Sequence, residues 1–225
     1  MQGTIPATPP ATISASAPWP NPRRPLVAIL RGVRPDEADG IVDALVEEGF
    51  ELIEIPLNSP DPFRSIASAA ARHGGAVLIG AGTVLTVPDV DRLAEAGGRL
   101  LVSPNVDPAV LARAGAHGMV TMPGVLTPTE ALLALRCGAS ALKFFPASVL
   151  GPAGIAAIRA VLPADAVIGA VGGVGDESFG AYAAAGIRTF GLGSSLYRPG
   201  DDAGTVRRNA RRTLAAYDAA FPAGA

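Results

Sequence analysis

Cysteine, histidine and tryptophan are rare in this 225-residue chain, which contains one, two and one of them. A single cysteine, Cys137, excludes an intrachain disulfide. The histidines, His73 and His117, stand near the ends of predicted helices and lack carboxylates at ligand spacing, so no metal site is predicted. No apolar run approaches the roughly 20 residues that cross a membrane, and no membrane partner is expected.

Charged residues are also scarce, at 17% of the chain. The formal net charge is −2, so no broad basic surface exists and no nucleic-acid partner is predicted. Residues 1–24 are rich in Pro, Ala, Ser and Thr and lack the basic start of a signal peptide. We predict that this N-terminal extension is disordered or loosely docked, that residues 25–225 form one catalytic domain, and that the protein is cytoplasmic.

From Leu26 onward, short apolar segments alternate with amphipathic helical patterns. The predicted strands are Leu26–Leu30, Leu52–Pro56, Val77–Gly80, Leu100–Ser103, Met119–Met122, Ala141–Phe145, Val167–Val171 and Thr189–Leu192. Short uninterrupted apolar strands are typical of parallel sheets covered on both faces. The alternation indicates an α/β fold, which is either an open doubly wound sheet or a closed (β/α)8 TIM barrel. We favour the barrel because eight near-equal units leave no chain for a second domain.

Catalytic residues of such barrels lie at the C-terminal ends of the strands. The polar residues at these ends are Arg31, Glu54, Asn58, Thr83, Asn105, Lys143 and Ser194. Lys143 is the only lysine and lies in the apolar segment Ala-Leu-Lys-Phe-Phe-Pro. Desolvation lowers the pKa of a lysine, and the neutral amine attacks ketones to form an imine. A lysine that reaches the surface or pairs with a buried acid is the structural alternative.

Two other charged residues fit imine chemistry. Glu54 lies in the apolar segment Leu-Ile-Glu-Ile-Pro, where a carboxyl of raised pKa could move protons directly or through a water. Arg31 ends the first strand, and its planar guanidinium suits a substrate carboxylate. A structural ion pair of Glu54 with Arg31 or Lys143 is the alternative interpretation.

Glycine-rich turns follow the last two predicted strands, at Val171-Gly172-Gly173 and Gly191-Leu192-Gly193-Ser194-Ser195. Barrels often bind phosphate with the loops after these strands. Free backbone N–H groups and a serine hydroxyl would hold a dianion without a nearby cation. Ordinary turns explain either segment singly. The same ambiguity applies to Gly80-Ala-Gly-Thr83, where glycine lets the backbone approach a ligand.

In combination, these segments resemble the KDPG/KDPGal aldolases, a family of class I aldolases. The resemblance covers about residues 25–221. It rests on Ile29-Leu-Arg-Gly, Glu54-Ile-Pro-Leu-Asn-Ser, Gly80-Ala-Gly-Thr-Val, Ser103-Pro-Asn, Leu142-Lys-Phe-Phe-Pro, Ala170-Val-Gly-Gly-Val and Gly191-Leu-Gly-Ser. It implies a homotrimer without a cofactor that yields pyruvate and glyceraldehyde 3-phosphate from a phosphorylated keto-deoxy sugar acid.

The resemblance also implies roles for individual residues. Lys143 would form the imine and Glu54 would shuttle protons. The implied substrate-binding residues are Arg31 and Thr83 for the carboxylate, Phe145 for the pyruvyl group, Gly172, Gly173, Gly193 and Ser194 for the phosphate, and also Asn105 and Val171.

Two segments resemble the galactonate branch of the family. The gluconate branch typically carries Glu-Val-Thr-Leu-Arg-Thr and Pro-Thr-Gly-Gly, where this chain has Glu54-Ile-Pro-Leu-Asn-Ser and Ala170-Val-Gly-Gly. Val171 thus replaces a hydroxyl that could bond the C4 oxygen, which relaxes or reverses the choice of epimer. The open alternatives are an aldolase for the gluconate epimer or 4-hydroxy-2-oxoglutarate, a barrel isomerase for a phosphorylated sugar, and a non-catalytic sugar-phosphate sensor.

Overall fold

The structure is a computed structural model that describes residues 15–222, in which strands and helices alternate. The strands are β1 (Leu26–Ile29), β2 (Leu52–Pro56), β3 (Leu78–Gly82), β4 (Leu100–Val102), β5 (Val120–Met122), β6 (Gly124–Val125), β7 (Leu142–Phe144), β8 (Ile168–Val171) and β9 (Thr189–Leu192). The helices are α1 (Pro35–Glu48), α2 (Pro62–His73), α3 (Val87–Glu95), α4 (Pro108–Ala116), α5 (Pro128–Arg136), α6 (Ala147–Arg159), α7 (Phe179–Ala184) and α8 (Ala203–Ala220). None of the helices in this part of the chain is both long and apolar enough to cross a bilayer.

The strands form a parallel sheet that closes into a barrel. Their order is β5-β4-β3-β2-β1-β9-β8-β7-β6. Only Pro123 separates β5 from β6, so the two segments act as one strand that pairs with β4 in its first half and with β7 in its second. Proline has no N–H to donate, which is consistent with the break in pairing at this position. The eight predicted strands and the (β/α)8 TIM barrel are confirmed.

Apolar side chains pack in two clusters, one on each face of the sheet. Ile53 of β2 and Leu142 of β7 belong to the larger cluster, between the strands and the helices. The smaller cluster fills the inside of the barrel. Because successive side chains of a strand point to opposite faces, Glu54 and Lys143, the next residues in these strands, face the barrel interior.

Helix α1 begins and ends at residues suited to those positions. Pro35 is its first residue, where no N–H hydrogen bond is needed. Glu37 accepts the N–H of Arg34 at 3.0 Å and places a negative charge at the helix N-terminus. Gly49 ends the helix in the left-handed conformation, with φ of 99°.

Residues 15–24 lie across the N-terminal end of the barrel. Ala17 donates its N–H to the carbonyl of Met119 at 2.9 Å, and Trp19 packs against the interior cluster. Covering an apolar barrel end removes it from water, which favours docking of this segment. Of the two predicted alternatives, disorder and loose docking, the structure has residues 15–24 docked on the barrel, whereas residues 1–14 lie outside the described part. The division between extension and catalytic domain stays a prediction.

Candidate active site

Lys143 lies inside the mouth of the barrel and is only 6% exposed. Strand β7 holds it between Gly124 of β6 and Gly169 of β8, neither of which carries a side chain to crowd the amine. Burial lowers the pKa of the Lys143 ammonium; the charge of Glu54 opposes this shift and that of Arg31 adds to it. The net effect of these surroundings shifts Lys143 toward the neutral, nucleophilic amine.

Glu54 is buried more deeply than Lys143, at 2% exposure. Gly82 of β3 makes room for it, because a Cβ at this position would collide with the Glu54 carboxyl group. Burial raises the pKa of Glu54 to about 7, although the charges of Lys143 and Arg31 oppose the shift. Its Oε2 has no hydrogen-bond partner within residues 15–222. A carboxyl group titrating near neutral pH can both accept and donate a proton.

The raised pKa of Glu54 predicts a pH-dependent effect of Glu54→Gln on stability. The stability that the protonated carboxyl contributes is fully present below the ordinary glutamate pKa of 4.5 and is lost as the pH rises through the folded-state pKa of about 7. The free energy of unfolding of the variant, relative to wild type, is thus expected to increase by roughly 3 kcal/mol from pH 4.5 to above pH 7. Urea titrations at several pH values measure it, with Glu95→Gln, the same change at an exposed helix position, as the control. A difference that is constant with pH would contradict the burial argument.

Arg31 reaches the site from the end of β1. Its Nη1 donates to Oδ1 of Asn58 at 2.9 Å. In the described part of the chain, neither Arg31 nor Lys143 forms an ion pair with Glu54, so the structural ion pair considered as an alternative is not present. The sequence places Asn58 at a strand end but assigns it no role. The position of Asn58 just beyond the strand of Glu54 is the feature that could have indicated a role in the site.

A cavity of about 180 Å³ connects Lys143 with the two glycine-rich turns. It is lined by Ile29, Arg31, Lys143, Phe145, Val171, Gly172, Gly173, Val174, Gly191, Gly193 and Ser194. Eight of the predicted site residues therefore come together here, and Nζ of Lys143 lies 4.6 Å from the centre of the Phe145 ring. Thr83 and Asn105 do not border this cavity: Thr83 is half-buried and Asn105 is exposed.

A larger groove of about 640 Å³ adjoins this cavity and shares Gly173 with it. Asp176, Glu177, Ser195 and Arg212 line the groove, and Arg212 is already paired with Asp176 at 2.6 Å. It does not contain the buried amine of Lys143, and the carboxyl of Glu54 borders neither the groove nor the cavity. Perturbed ionisable groups are what distinguish a catalytic site from a surface groove, so the smaller cavity is the candidate active site.

The two glycine-rich turns present unpaired backbone N–H groups. Gly172 and Gly173 have left-handed φ angles of 89° and 75°, and a Cβ on Gly173 would lie 2.7 Å from Cβ of Ser148. No protein group among residues 15–222 accepts the N–H of Gly173 or Ser194. Arg198 donates from Nε to the carbonyl of Ser194 at 2.9 Å. The guanidinium of Arg198, four residues further along the chain, therefore lies at this turn but does not line the cavity, and the expectation of a phosphate site without a nearby cation stays a prediction.

Comparison with known proteins decides the family. A family described as "Aldolase: KDPG and KHG aldolase" matches residues 22–206. The chain belongs to the KDPG and KHG aldolase family. This family member is 66% identical over 204 residues, 91% of this chain and 96% of the other, to a "Probable 2-dehydro-3-deoxy-6-phosphogalactonate aldolase" from Rhizobium meliloti (strain 1021). It is 47% identical to a 2-dehydro-3-deoxy-6-phosphogalactonate aldolase from Escherichia coli (strain K12), over 86% of this chain and 94% of that protein.

A solved structure agrees with this membership. The structure titled "Native KDPGal structure" superimposes on this KDPG/KHG aldolase with a TM-score of 0.88 and 46% identity. The match covers 90% of this chain and 98% of that one. The similarity therefore extends over the whole barrel and is not confined to the site motifs.

The histidines of this aldolase have partners outside the site. His73 contacts Asp43 at 2.6 Å, and His117 contacts Asp91 at 2.8 Å. Within residues 15–222, no three His, Cys, Asp or Glu side chains are grouped so that they could hold a metal ion.

Proposed function

We propose that the protein is a class I aldolase that cleaves 2-dehydro-3-deoxy-6-phospho-D-galactonate to pyruvate and D-glyceraldehyde 3-phosphate. The observation that carries the proposal is the buried Lys143 amine, which shares one cavity with Arg31 and the two glycine-rich turns. Family membership and the names of the relatives at 66% and 47% identity support the substrate.

The proposed reaction uses an imine as its electron acceptor. The neutral amine of Lys143 attacks the C2 ketone, and loss of water gives the imine, which is then protonated. Glu54, directly or through a water, removes the proton of the C4 hydroxyl, and the C3–C4 electron pair moves into the imine as glyceraldehyde 3-phosphate leaves. The enamine takes a proton at C3, and hydrolysis releases pyruvate and regenerates the amine. The scheme requires no cofactor and no metal.

The remaining predicted residues would hold the substrate. Arg31 suits the carboxylate, and the ring of Phe145 lies beside the amine, where the pyruvyl group would bind. The N–H groups of Gly173 and Ser194 suit the phosphate. Gly172 and Gly193 would shape this subsite. Roles for Thr83 and Asn105 require a substrate that extends beyond the cavity.

Coupled assays test the activity. Pyruvate released from the galactonate derivative is measured by coupling to lactate dehydrogenase, beside parallel reactions with the gluconate epimer and with 4-hydroxy-2-oxoglutarate. The expected result is cleavage with the highest kcat/KM on the galactonate derivative. A higher kcat/KM on either of the others would assign the protein to that substrate. Thermal stabilisation by the sugar acid without turnover would favour a sensor.

Val171→Thr is expected to shift epimer preference. Val171 is 4% exposed, lines the cavity and offers no hydrogen bond. A threonine hydroxyl could bond the C4 oxygen of the gluconate epimer, so the ratio of kcat/KM values, gluconate over galactonate, should rise about ten-fold. Val171→Ala is the matched control, since it changes the space without adding a hydroxyl. An equal shift in both variants would show that volume, not the hydroxyl, sets the preference.

We also propose that the enzyme is a cytoplasmic homotrimer. The low charged fraction and the exposure of Leu85, Val149 and Val161 fit apolar surface buried between subunits. The molar mass in solution, from light scattering, should be three times 22.6 kDa. A mass of one or two chains would contradict the trimer.

A further inference from the structure

Two neighbouring hydrogen bonds join the loops that follow β1 and β2 at the mouth of the barrel. Arg31 donates from Nη1 to Oδ1 of Asn58 at 2.9 Å, and Gly32 donates its N–H to Oγ of Ser59 at 2.9 Å. Ser59 is buried, and its own N–H donates to the carbonyl of Pro56 at 2.9 Å. The loop after β2 is thus fixed at the residue that binds the loop after β1. Consecutive residues of one loop bind consecutive residues of the other.

Asn58 holds Arg31 without neutralising it. An amide oxygen is a neutral acceptor, whereas a carboxylate in the same place would form an ion pair with the guanidinium. No other side chain among residues 15–222 hydrogen-bonds to Arg31. Its Nε and Nη2 therefore remain available, and Arg31 lines the cavity that contains Lys143.

The guanidinium is planar and rigid, so a hydrogen bond that fixes Nη1 of Arg31 also limits the positions of Nη2 and Nε. A guanidinium binds a carboxylate best through two parallel N–H groups, and this requires a defined orientation. A side chain already held in that orientation loses less conformational entropy when the ligand binds. Asn58 therefore leaves the positive charge of Arg31 unneutralised and can also orient its guanidinium.

We propose that Asn58 is a positioning residue, which orients the guanidinium of Arg31 toward the carboxylate of the pyruvyl group and leaves its positive charge free for that carboxylate. The inference rests on the proposed aldolase function and deepens it. A neutral acceptor and a charged acceptor at position 58 should therefore affect pyruvate binding differently.

The test compares Asn58→Ala with Asn58→Asp by borohydride trapping of pyruvate. The readout is the pyruvate concentration that gives half-maximal labelling of Lys143, followed by intact mass. Asn58→Ala should raise this concentration roughly ten-fold, because Arg31 loses its fixed partner. Asn58→Asp keeps the shape and the acceptor atom, yet it should raise the concentration more, by roughly 10- to 100-fold, because its charge competes with pyruvate for Arg31. Asn21→Asp makes the same change at an exposed position at the other end of the barrel and is the control.

A second readout separates positioning from general damage. In the condensation direction, the KM for pyruvate should rise in both variants. The KM for glyceraldehyde 3-phosphate should stay within about two-fold of wild type, since in the proposed binding mode that substrate does not contact Arg31. A merely structural Asn58 predicts that the isosteric Asn58→Asp is the milder change and that both KM values move together; either result would overturn the inference. Wild-type protein that is not labelled at all would instead contradict the proposed function, and the role of Asn58 with it.

Discussion

Replacing Lys143 by methionine is expected to abolish cleavage of the sugar acid. The amine is the group that becomes covalently bonded to the substrate, and no second lysine exists to replace it. Removing such a nucleophile should lower kcat by at least about 10⁴-fold. Methionine is similar in length and apolar, so it fits the buried site, where Lys143 is only 6% exposed.

Trapping shows whether the loss has the proposed cause. Borohydride with pyruvate should add one reduced pyruvyl group to the wild-type protein, and fragmentation should locate it on Lys143, the only lysine. The Lys143→Met protein should remain unlabelled. A variant that still turns over, or a wild type that turns over but cannot be trapped, would contradict the imine mechanism.

Measurements of Tm test whether unfolding of the variant is the cause of the lost activity. Burial lowers the pKa of Lys143 from its ordinary value of 10.5. A lowered pKa in the folded state means that the stabilising contribution is present above pH 10.5 and is lost as the pH falls through the folded value. At pH 7 the lysine therefore destabilises the fold, and Lys143→Met should have an equal or higher Tm. A lower Tm would contradict this reasoning.

Replacing Glu54 by glutamine is expected to lower kcat by about 10²–10⁴-fold, the range that a general acid/base typically contributes. Glutamine is isosteric but cannot carry a proton between the C4 hydroxyl and C3. Covalent labelling by pyruvate should persist, because Lys143 and the carboxylate site are unchanged. The combination of normal labelling and slow cleavage is specific to a proton-transfer role.

The pH profile adds an independent check on Glu54. Its pKa of about 7 means that the proton-accepting carboxylate forms as pH rises through neutrality, so wild-type cleavage should increase over this range. The glutamine variant should lose this limb of the profile. Glu95→Gln, at an exposed position on α3, should retain wild-type activity and the wild-type profile. A fully active Glu54→Gln would reduce Glu54 to a structural neighbour of Lys143.

Both principal groups of the site could be recognised from the sequence because their pattern is local. A lysine or a glutamate inside a short apolar strand stands out, and strand alternation determines which face it occupies. The same logic predicted that Arg31 and the two glycine-rich turns meet at the mouth of the barrel, since they follow strands whose C-terminal ends lie together, and in the structure they line one cavity. It was less informative for Thr83 and Asn105, because a residue after a strand can point either into the mouth or outward.

The sequence by itself determined the eight strands, the barrel and the buried amine, because hydrophobic periodicity and isolated charges are features of neighbouring residues. Only the tertiary structure decided that the ring is joined across Pro123, that Gly82 leaves space for the Glu54 carboxyl, and that residues 15–24 cover the barrel end. It also decided that Arg31 is held by Asn58, 27 residues away. Such contacts depend on distances between remote segments, and local periodicity does not contain those distances.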